Sequence, residues 1–328
     1  MRFRSLRLLV LVFVFLSLAP LQTVAQSKPA EINLSLQAPF RFIAYGDTRF
    51  TDPTDTKAAD PKVRVALVQA IADAKPAFIS IGGDIAYDGN KQEDWRVYDQ
   101  ETAVWTKSGI AIFPALGNHD LHGDQKVALG NYFARYPQIQ NSRYYSVRAG
   151  NMLMITLDSN QEINSGAQFD WLKSQLAKVD STVEFVVLVF HHPPYTSSSD
   201  DKAYGGGHSA RSSEQKFAQY LEDRQKSMRA RIVVFNGHVH NYEHHEHGGI
   251  HYFVTGGGGA HAYPIERRPE DLFKNNQINY HYIEVLVERG KLTTVMHRVE
   301  LKDGKQTWTT PDTATIAVQE MKASATAK

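Results

Sequence analysis

Two histidines separated by one residue, His238 and His240, follow the apolar run 232–235. In an extended segment, residues i and i+2 point to the same face of the chain. Their imidazoles can therefore address one pocket, where they either share one metal ion or serve two adjacent ions. Such a pair is weak evidence by itself, so its meaning depends on what other segments bring to the same place.

Four other short apolar runs also end near a residue that can bind metal. The residues that follow these runs are Asp47, Asp84, Asn118 and His191. Short runs rich in β-branched and aromatic residues and bounded by Gly or Pro predict buried strands. In layered sheets of this kind, functional side chains collect outside the carboxyl ends of the strands. Five such strand ends predict one shared site.

The donors at these strand ends suit two metal ions. The predicted ligands are Asp47, Asp84, Tyr87, Asn118, His191, His238 and His240. A carboxylate can bridge two cations through its two oxygens, and imidazole and amide groups complete the shells of iron, zinc or manganese. Two metal ions about 3.5–4 Å apart can hold a hydroxide nucleophile and clamp a phosphoryl group for in-line displacement. The donors are therefore compatible with metal-assisted displacement at a phosphoryl group.

The elements that must position these residues alternate between strands and helices. Strands are predicted at 42–45, 78–81, 110–113, 185–190 and 232–235, and helices at 62–75, 168–179 and 213–228, with a less regular one at 91–107. This alternation predicts an α/β layered fold. After His240, the segments 250–255, 280–287 and 292–299 resemble strands with few helices between them, which predicts a second, more antiparallel sheet in the same domain.

The composition allows one large domain with a sizeable core. The chain has 328 residues, of which 42% are hydrophobic, and a formal net charge of +1. This near balance argues against nucleic-acid binding by bulk charge. Because the chain contains no cysteine, it has neither disulfides nor thiolate ligands, and its stability must come from the core and from bound metal.

The N-terminus has the pattern of a targeting segment. Arg2, Arg4 and Arg7 precede the short apolar stretch 8–19, and small residues at 23–25 form a cleavage site. A signal peptide is therefore predicted at 1–25 and an exported protein, periplasmic or secreted, without stable membrane association after cleavage. An uncleaved membrane anchor is the alternative.

The mature chain is predicted to have three parts. A polar lead-in covers 26–38, a single catalytic domain covers 39–302, and a partly disordered C-terminal tail covers 303–328. Two long polar loops, 50–60 and 196–212, follow ligand-bearing strands and are expected to overhang the site.

Taken together, the strand-end motifs resemble those of the calcineurin-like metallophosphoesterases. They are Gly46-Asp47, Gly83-Asp84, Gly117-Asn118-His119-Asp120, His191-His192-Pro193-Pro194 and Gly237-His238-Val239-His240. They stand in the family's order, and the resemblance covers about residues 40–300. It implies a four-layer α/β/β/α sandwich of two mixed sheets flanked by helices.

Two details are similar to the purple acid phosphatase branch of that family. Tyr87 lies three residues after Asp84, where the branch has a tyrosine that binds Fe(III) as phenolate. The segment 191–195 is also similar to the branch's His-x-Pro-x-Tyr segment. The resemblance thus implies Fe(III) beside Tyr87, with Fe, Zn or Mn as the second metal. An ordinary packed or surface tyrosine is the alternative for Tyr87.

The resemblance also implies a role for each ligand. The first metal would be held by Asp47, Asp84, Tyr87 and His240, and the second by Asp84, Asn118, His191 and His238, with Asp84 as the bridge. His119 would face the substrate and protonate the leaving group. Asp120 would orient His119 unless it is an ordinary surface residue.

Arg49 departs from the family pattern. It stands two residues after Asp47, where many members have His and the purple branch has Gly. A guanidinium suits bidentate binding of an oxyanion, so Arg49 is a candidate contact for the substrate phosphate. The alternative is an arginine that points to solvent or pairs with a loop acid. His208, in loop 196–212, is a second candidate for substrate binding.

Other histidines and acids are given structural roles. His192 is interpreted as a structural histidine, Asp158 as a residue behind the site, and 244–247 as an exposed turn between strands.

The favoured function is hydrolysis of a small-molecule phosphomonoester. The alternatives are a phosphodiesterase for nucleotide or lipid-derived diesters and a non-catalytic phosphate- or metal-binding module. The oligomeric state stays open.

Overall fold

Two mixed sheets of seven strands each form the centre of the computed structural model, which describes residues 28–199 and 207–318. The strands are β1 (Glu31–Leu34), β2 (Phe40–Tyr45), β3 (Phe78–Ile81), β4 (Ala111–Pro114), β5 (Tyr145–Ala149), β6 (Met152–Thr156), β7 (Phe185–Val189), β8 (Arg231–Asn236), β9 (Tyr242–His247), β10 (Ile250–Thr255), β11 (Tyr280–Glu288), β12 (Lys291–Lys302), β13 (Lys305–Thr309) and β14 (Thr313–Ala317). The helices are α1 (Pro61–Asp73), α2 (Gln92–Glu101), α3 (Ala103–Lys107), α4 (Gln125–Arg135), α5 (Gly166–Ala177) and α6 (Ser212–Gln225). The predicted signal peptide lies outside the described residues.

The strand orders bring the strands that precede the candidate metal ligands together within each sheet. One sheet has the order β1-β5-β6-β7-β8-β10-β9, and the other has β13-β12-β11-β2-β3-β4 with β14 paired to β12. Strands β2, β3 and β4 are parallel neighbours, as are β7 and β8. Parallel neighbours end at the same edge of a sheet, so the residues that follow them lie side by side.

The sheets and helices form four layers. Between the sheets, the rings of Phe42 on β2 and Phe235 on β8 meet edge to face at 6.3 Å. Leu188 on β7 faces the other way, into a second apolar cluster that includes Leu172 of α5 and Phe217 of α6. On the far side, α1 and α3 cover the second sheet. The predicted sandwich of two mixed sheets flanked by helices is confirmed.

The structure differs from the predicted boundaries at both ends of the domain. Strand β1 lies in the predicted lead-in and pairs with β5, while β13 and β14 continue the second sheet past residue 302. Their sequences are short and largely polar because they form sheet edges with one face in water, and such strands give little apolar signal. Helix α4, capped by Asp124, was not predicted either.

The strands after His240 do not form a sheet of their own. Strands β9 and β10 complete the first sheet, whereas β11 and β12 join the second sheet beside β2. Residues 244–247 belong to strand β9, and His244 and His245 are buried, so their interpretation as an exposed turn is wrong. Across 28–199 and 207–318, no helix combines the length and apolarity needed to cross a membrane.

Candidate metal centre

The ends of five strands converge on one buried site. Asp47, Asp84 and Asn118 follow β2, β3 and β4, while His191 follows β7 and His238 follows β8. Backbone contacts join the two sheets here, because the His238 amide donates to both carboxylate oxygens of Asp47 at 2.9–3.0 Å. The predicted convergence of the strand ends is therefore present in the fold.

The backbone turns sharply as it leaves these strands. Asp47, Asp84 and His238 have positive φ angles of 56°, 53° and 71°. Such conformations cost side-chain-bearing residues of order 1–3 kcal/mol each and cluster at functional sites. Gly117 permits the close approach of two of the loops, since a Cβ there would lie 2.2 Å from the amide nitrogen of Asp84.

A first group of donors consists of Asp47, Asp84 and His240, whose ligand atoms lie within 4.8 Å of one another. The Nδ1 atom of His240 bonds to the His261 carbonyl at 2.9 Å. Its Nε2 atom lies 3.7 Å from Asp47 Oδ1, is buried, and has no hydrogen-bond partner among the described residues. An orphaned imidazole nitrogen facing two carboxylates fits a metal ligand.

A second group of donors meets on the other side of Asp84. His191 Nε2, His238 Nδ1 and Asn118 Oδ1 lie 3.1–3.2 Å apart, and His191 Nε2 is 3.4 Å from Asp84 Oδ1. The remote nitrogens bond to backbone carbonyls: His191 Nδ1 to Gly82 at 2.8 Å and His238 Nε2 to Gly207 at 2.9 Å. These bonds fix which nitrogen faces the site, as hydrogen bonds to the remote nitrogen of a metal-binding histidine do.

The electrostatics of the site favour binding of a cation. Burial and the neighbouring Asp84 carboxylate raise the pKa of Asp47 well above its ordinary value. Burial lowers the pKa of His238 to about 3 and holds the pKa of His240 well below its usual range. The imidazoles are therefore neutral, which metal binding requires, and a metal ion would relieve the repulsion between the two buried carboxylates.

Arg49 supplies one positive charge to this site. Its guanidinium contacts Asp84 Oδ2, with Nε at 3.4 Å and Nη2 at 3.2 Å, and its side chain is only 13% exposed. The arginine therefore turns inward to the central carboxylate and does not extend into solvent. It also lines the cavity above the site, where it can reach a ligand.

His119 lies beside the second donor group with one nitrogen open to the cavity. Its Nδ1 atom bonds to the Tyr87 carbonyl at 2.6 Å, and its backbone amide donates to Asp84 Oδ1 at 2.9 Å. Burial lowers the pKa of its imidazole, and the charge of Asp84 opposes this shift. With Nδ1 engaged, Nε2 is the atom that can exchange a proton with a substrate.

Asp120 does not lie at the surface, and its carboxylate does not orient the His119 ring. Oδ1 accepts from the amides of Ile85 and Ala86, and Oδ2 accepts from the amide of Gly117. The carboxylate is fully buried. Asp120 therefore ties the loop after β3 to the loop after β4, and the ring of His119 is held by Tyr87 instead.

The two remaining candidates lie around the site. The Tyr87 ring is half-buried and lies 5.3 Å from the His119 ring, so its role as a phenolate ligand stays a prediction. His208 lies over the metal centre, with its ring 4.9 Å from that of His238 and 5.3 Å from that of His240. Both His208 and His119 line a cavity of about 830 Å³.

Sequence reasoning missed parts of the site that have no motif. His192, interpreted as structural, also groups with His191 and His238 as possible ligands, while its Nδ1 bonds to Ser159 Oγ at 2.8 Å. The cavity wall also includes Lys57 and Tyr263. Adjacent histidines gave a signal for His192, whereas only the fold brings the last two residues here.

The chain is similar to several known proteins. The family model for calcineurin-like phosphoesterases matches residues 40–242. Purple acid phosphatase 21 of Arabidopsis thaliana is 28% identical over 175 residues, which is 49% of this chain and 37% of that protein. The probable cyclic nucleotide phosphodiesterase of Synechococcus sp. (strain WH7803) is 24% identical over 189 residues, which is 54% of this chain and 64% of that protein. The chain therefore spans less than two thirds of the length of these relatives.

The fold also has a solved counterpart. The purple acid phosphatase from yellow lupin (Lupinus luteus) seeds superposes with a TM-score of 0.65 at 16% identity, over 86% of this chain and 54% of that one. At this identity the likeness concerns the fold alone. The family match, in contrast, covers more than half of the chain and includes all five ligand-bearing strand ends. The chain belongs to the calcineurin-like phosphoesterase family.

Proposed function

We propose that the protein is a metal-dependent hydrolase of small phosphomonoesters. The observation that carries this proposal is the pair of donor groups that meet at Asp84, one with His240 and the other with His191 and His238. Two metal ions in these groups would share Asp84 as a bridge. The non-catalytic alternative is disfavoured because every ligand implied by the family motifs is present.

The residues of the chain divide the work of hydrolysis. When bound, the metal ions supply Lewis acidity and an activated water. Asp47, Asp84, Tyr87 and His240 would hold the first ion, and Asp84, Asn118, His191 and His238 the second. His119, in its doubly protonated form, delivers the Nε2 proton to the leaving oxygen and returns to the neutral ring with Nδ1–H bonded to the Tyr87 carbonyl. Arg49 and His208 bind oxygens of the phosphoryl group from the cavity side.

A monoester is favoured over a diester by the charge of the cavity wall. Arg49, Lys57 and several imidazoles line the cavity, and none of its described lining residues carries a carboxylate. A phosphomonoester carries about two negative charges at neutral pH, one more than a diester, and gains more from the positive charges of Arg49 and Lys57. Diester hydrolysis is the second candidate, because one relative is named as a cyclic nucleotide phosphodiesterase.

The metal pair is proposed to be Fe(III) with Fe, Zn or Mn as partner, on the basis of Tyr87. A tyrosinate bound to Fe(III) gives a visible charge-transfer band, so the purified protein should be coloured. A colourless protein that is fully active with Zn or Mn alone would remove Tyr87 from the ligand set.

Export by the predicted segment 1–25 is also proposed, and N-terminal sequencing of the mature protein from cell fractions tests it.

One panel tests the central proposal. Initial rates are measured on phosphomonoesters and on matched diesters, with metal analysis of the same sample. Monoester hydrolysis should dominate and should be lost in Asp84→Asn, and hydrolysis of alkyl monoesters should be nearly lost in His119→Ala. The exposed Asp223→Asn should leave both intact. Equal or greater turnover of diesters would favour the second candidate. Turnover of neither class, with metal bound, would leave a binding module.

A further inference from the structure

The cavity above the metal centre is larger than a phosphoryl group requires. Its volume of about 830 Å³ falls in the range of pockets that enclose whole small molecules, roughly 300–1,000 Å³. Its lining includes Arg49, Asn118, His119 and the metal-facing histidines. It also includes the segment 261–264 together with Ile278 and Lys57, a set referred to below as the outer wall.

Four of the six outer-wall residues carry apolar or aromatic side chains. Ala262, Tyr263, Pro264 and Ile278 line it, and Ile278 is 39% exposed although its side chain is wholly apolar. An alcohol rich in hydroxyl groups would gain nothing from covering these side chains. An apolar group would gain free energy in proportion to the area it removes from water.

The outer wall is fixed relative to the metal ligands. Asn241, the residue after the ligand His240, donates to the carbonyls of Tyr263 at 2.6 Å and Gln277 at 3.1 Å. The His261 carbonyl bonds to His240 itself, and the His261 amide donates to Ala58 at 3.1 Å. A wall built in this way is already in place before a ligand binds, so little ordering opposes binding.

We propose that the outer wall is a leaving-group subsite for phosphomonoesters of apolar, ring-containing alcohols. The inference rests on the proposed function, since it assumes that the phosphoryl group lies at the metal centre. The ring, which the ester oxygen joins to the phosphoryl group, then packs on Pro264 and Ile278. Esters of polyols occupy the same cavity without this contact.

Binding of two phosphonates that cannot be hydrolysed tests the subsite. Benzylphosphonate and methylphosphonate share the anionic head and differ in the ring. Calorimetric titration of Mn(II)-loaded protein should give about tenfold tighter binding of benzylphosphonate, as expected for burial of an apolar ring. Ile278→Ser should reduce this ratio by a factor of about three and leave the affinity for methylphosphonate unchanged.

Leu272→Ser is the matched control, because Leu272 is 46% exposed and does not line the cavity. It should keep the wild-type ratio. Equal binding of the two phosphonates by wild type, or an unchanged ratio in Ile278→Ser, would overturn the subsite while leaving the phosphatase intact. If the protein hydrolyses no ester but still binds benzylphosphonate more tightly than methylphosphonate, the proposed function is wrong and the outer wall remains a site that binds rings. Failure of both phosphonates to bind would remove both.

Discussion

The guanidinium of Arg49 lies 3.2 Å from Oδ2 of Asp84, the carboxylate that both donor groups share. An arginine at this point places a permanent positive charge within the metal centre itself. Burial opposes ionisation of Asp84, yet its pKa lies well below its ordinary value because the neighbouring His191, His119 and Arg49 together outweigh burial. The centre thus has a cation of its own in addition to any metal ion, and that cation borders the cavity.

Replacing Arg49 should weaken substrate binding. Arg49→Ala removes a charge-assisted contact to a phosphoryl oxygen, so KM for phosphomonoesters should rise about tenfold, with partial recovery in Arg49→Lys. Steady-state kinetics with metal analysis checks this. Arg41→Ala, at a half-exposed arginine paired with Glu284, is the control. Unchanged KM and kcat in Arg49→Ala would exclude the contact.

Loss of His119 should depend on the leaving group. Because a general acid matters most when the departing alkoxide is basic, His119→Ala should lower kcat about 10²- to 10⁴-fold for alkyl esters and much less for 4-nitrophenyl phosphate. The ratio of the two rates in wild type and variant is the measurement. His122→Ala removes a neighbouring ring, 4.1 Å away, and should leave the ratio unchanged. An equal loss for both esters would argue against proton donation.

His281 should make the fold sensitive to acid. Burial lowers its pKa from 6.5 to about 4, and its ring nitrogens bond to the Asn279 carbonyl and Thr255 Oγ1. Since the unfolded chain takes up the proton first, the free energy of unfolding should fall as pH drops from 6.5 to 4. The loss should approach about 3 kcal/mol.

Urea titrations across this pH range measure the effect. His281→Asn keeps a donor for the Asn279 carbonyl but cannot titrate, so its pH slope should be shallower than that of wild type. His122→Asn, at an exposed imidazole, should keep the wild-type slope. If His281→Asn retains the full slope, the acid sensitivity has another source.

Glu243 should be a major contributor to stability outside the metal centre. Its fully buried carboxylate accepts from Thr196 Oγ1 at 2.5 Å and from the Ser197 amide at 2.7 Å, and it pairs with His245 at 3.2 Å. Glu243→Ala leaves these buried partners without their acceptor and should lower the free energy of unfolding by about 3–5 kcal/mol. Chemical unfolding measures the cost. Asp223→Ala breaks an exposed pair with Lys226 and should change stability by less than about 1 kcal/mol.

The sequence identified candidate metal donors because strand ends and donor types coincide in the chain. Asp47, Asp84 and His191 could be found in this way, since each follows an apolar run that forms a buried strand. The outer wall could not be predicted. Tyr263 and Ile278 meet Lys57 only through the pairing of segments about 200 residues apart, and no local pattern records that pairing.

Burial of polar residues was harder to infer than strand positions. Asp120 and residues 244–245 seemed suited to the surface by composition, yet all are buried with partners supplied by distant segments. The short strands β13 and β14 carry too few apolar residues to stand out from a tail. Their pairing with β12 depends on an edge that exists only after the sheet has formed.

One hydrogen bond joins the metal centre to the loop that carries Gly207. The ring nitrogens of His191 and His240 that point away from the site form hydrogen bonds with carbonyls of the segments after β3 and β10. The corresponding nitrogen of His238 bonds instead to the Gly207 carbonyl. Metal binding at His238 and the position of the Gly207 carbonyl would therefore be thermodynamically coupled. With His238 as a metal ligand, as proposed, any molecule that draws this carbonyl away would weaken metal binding, and a bound metal would hold the carbonyl in place by the same free energy.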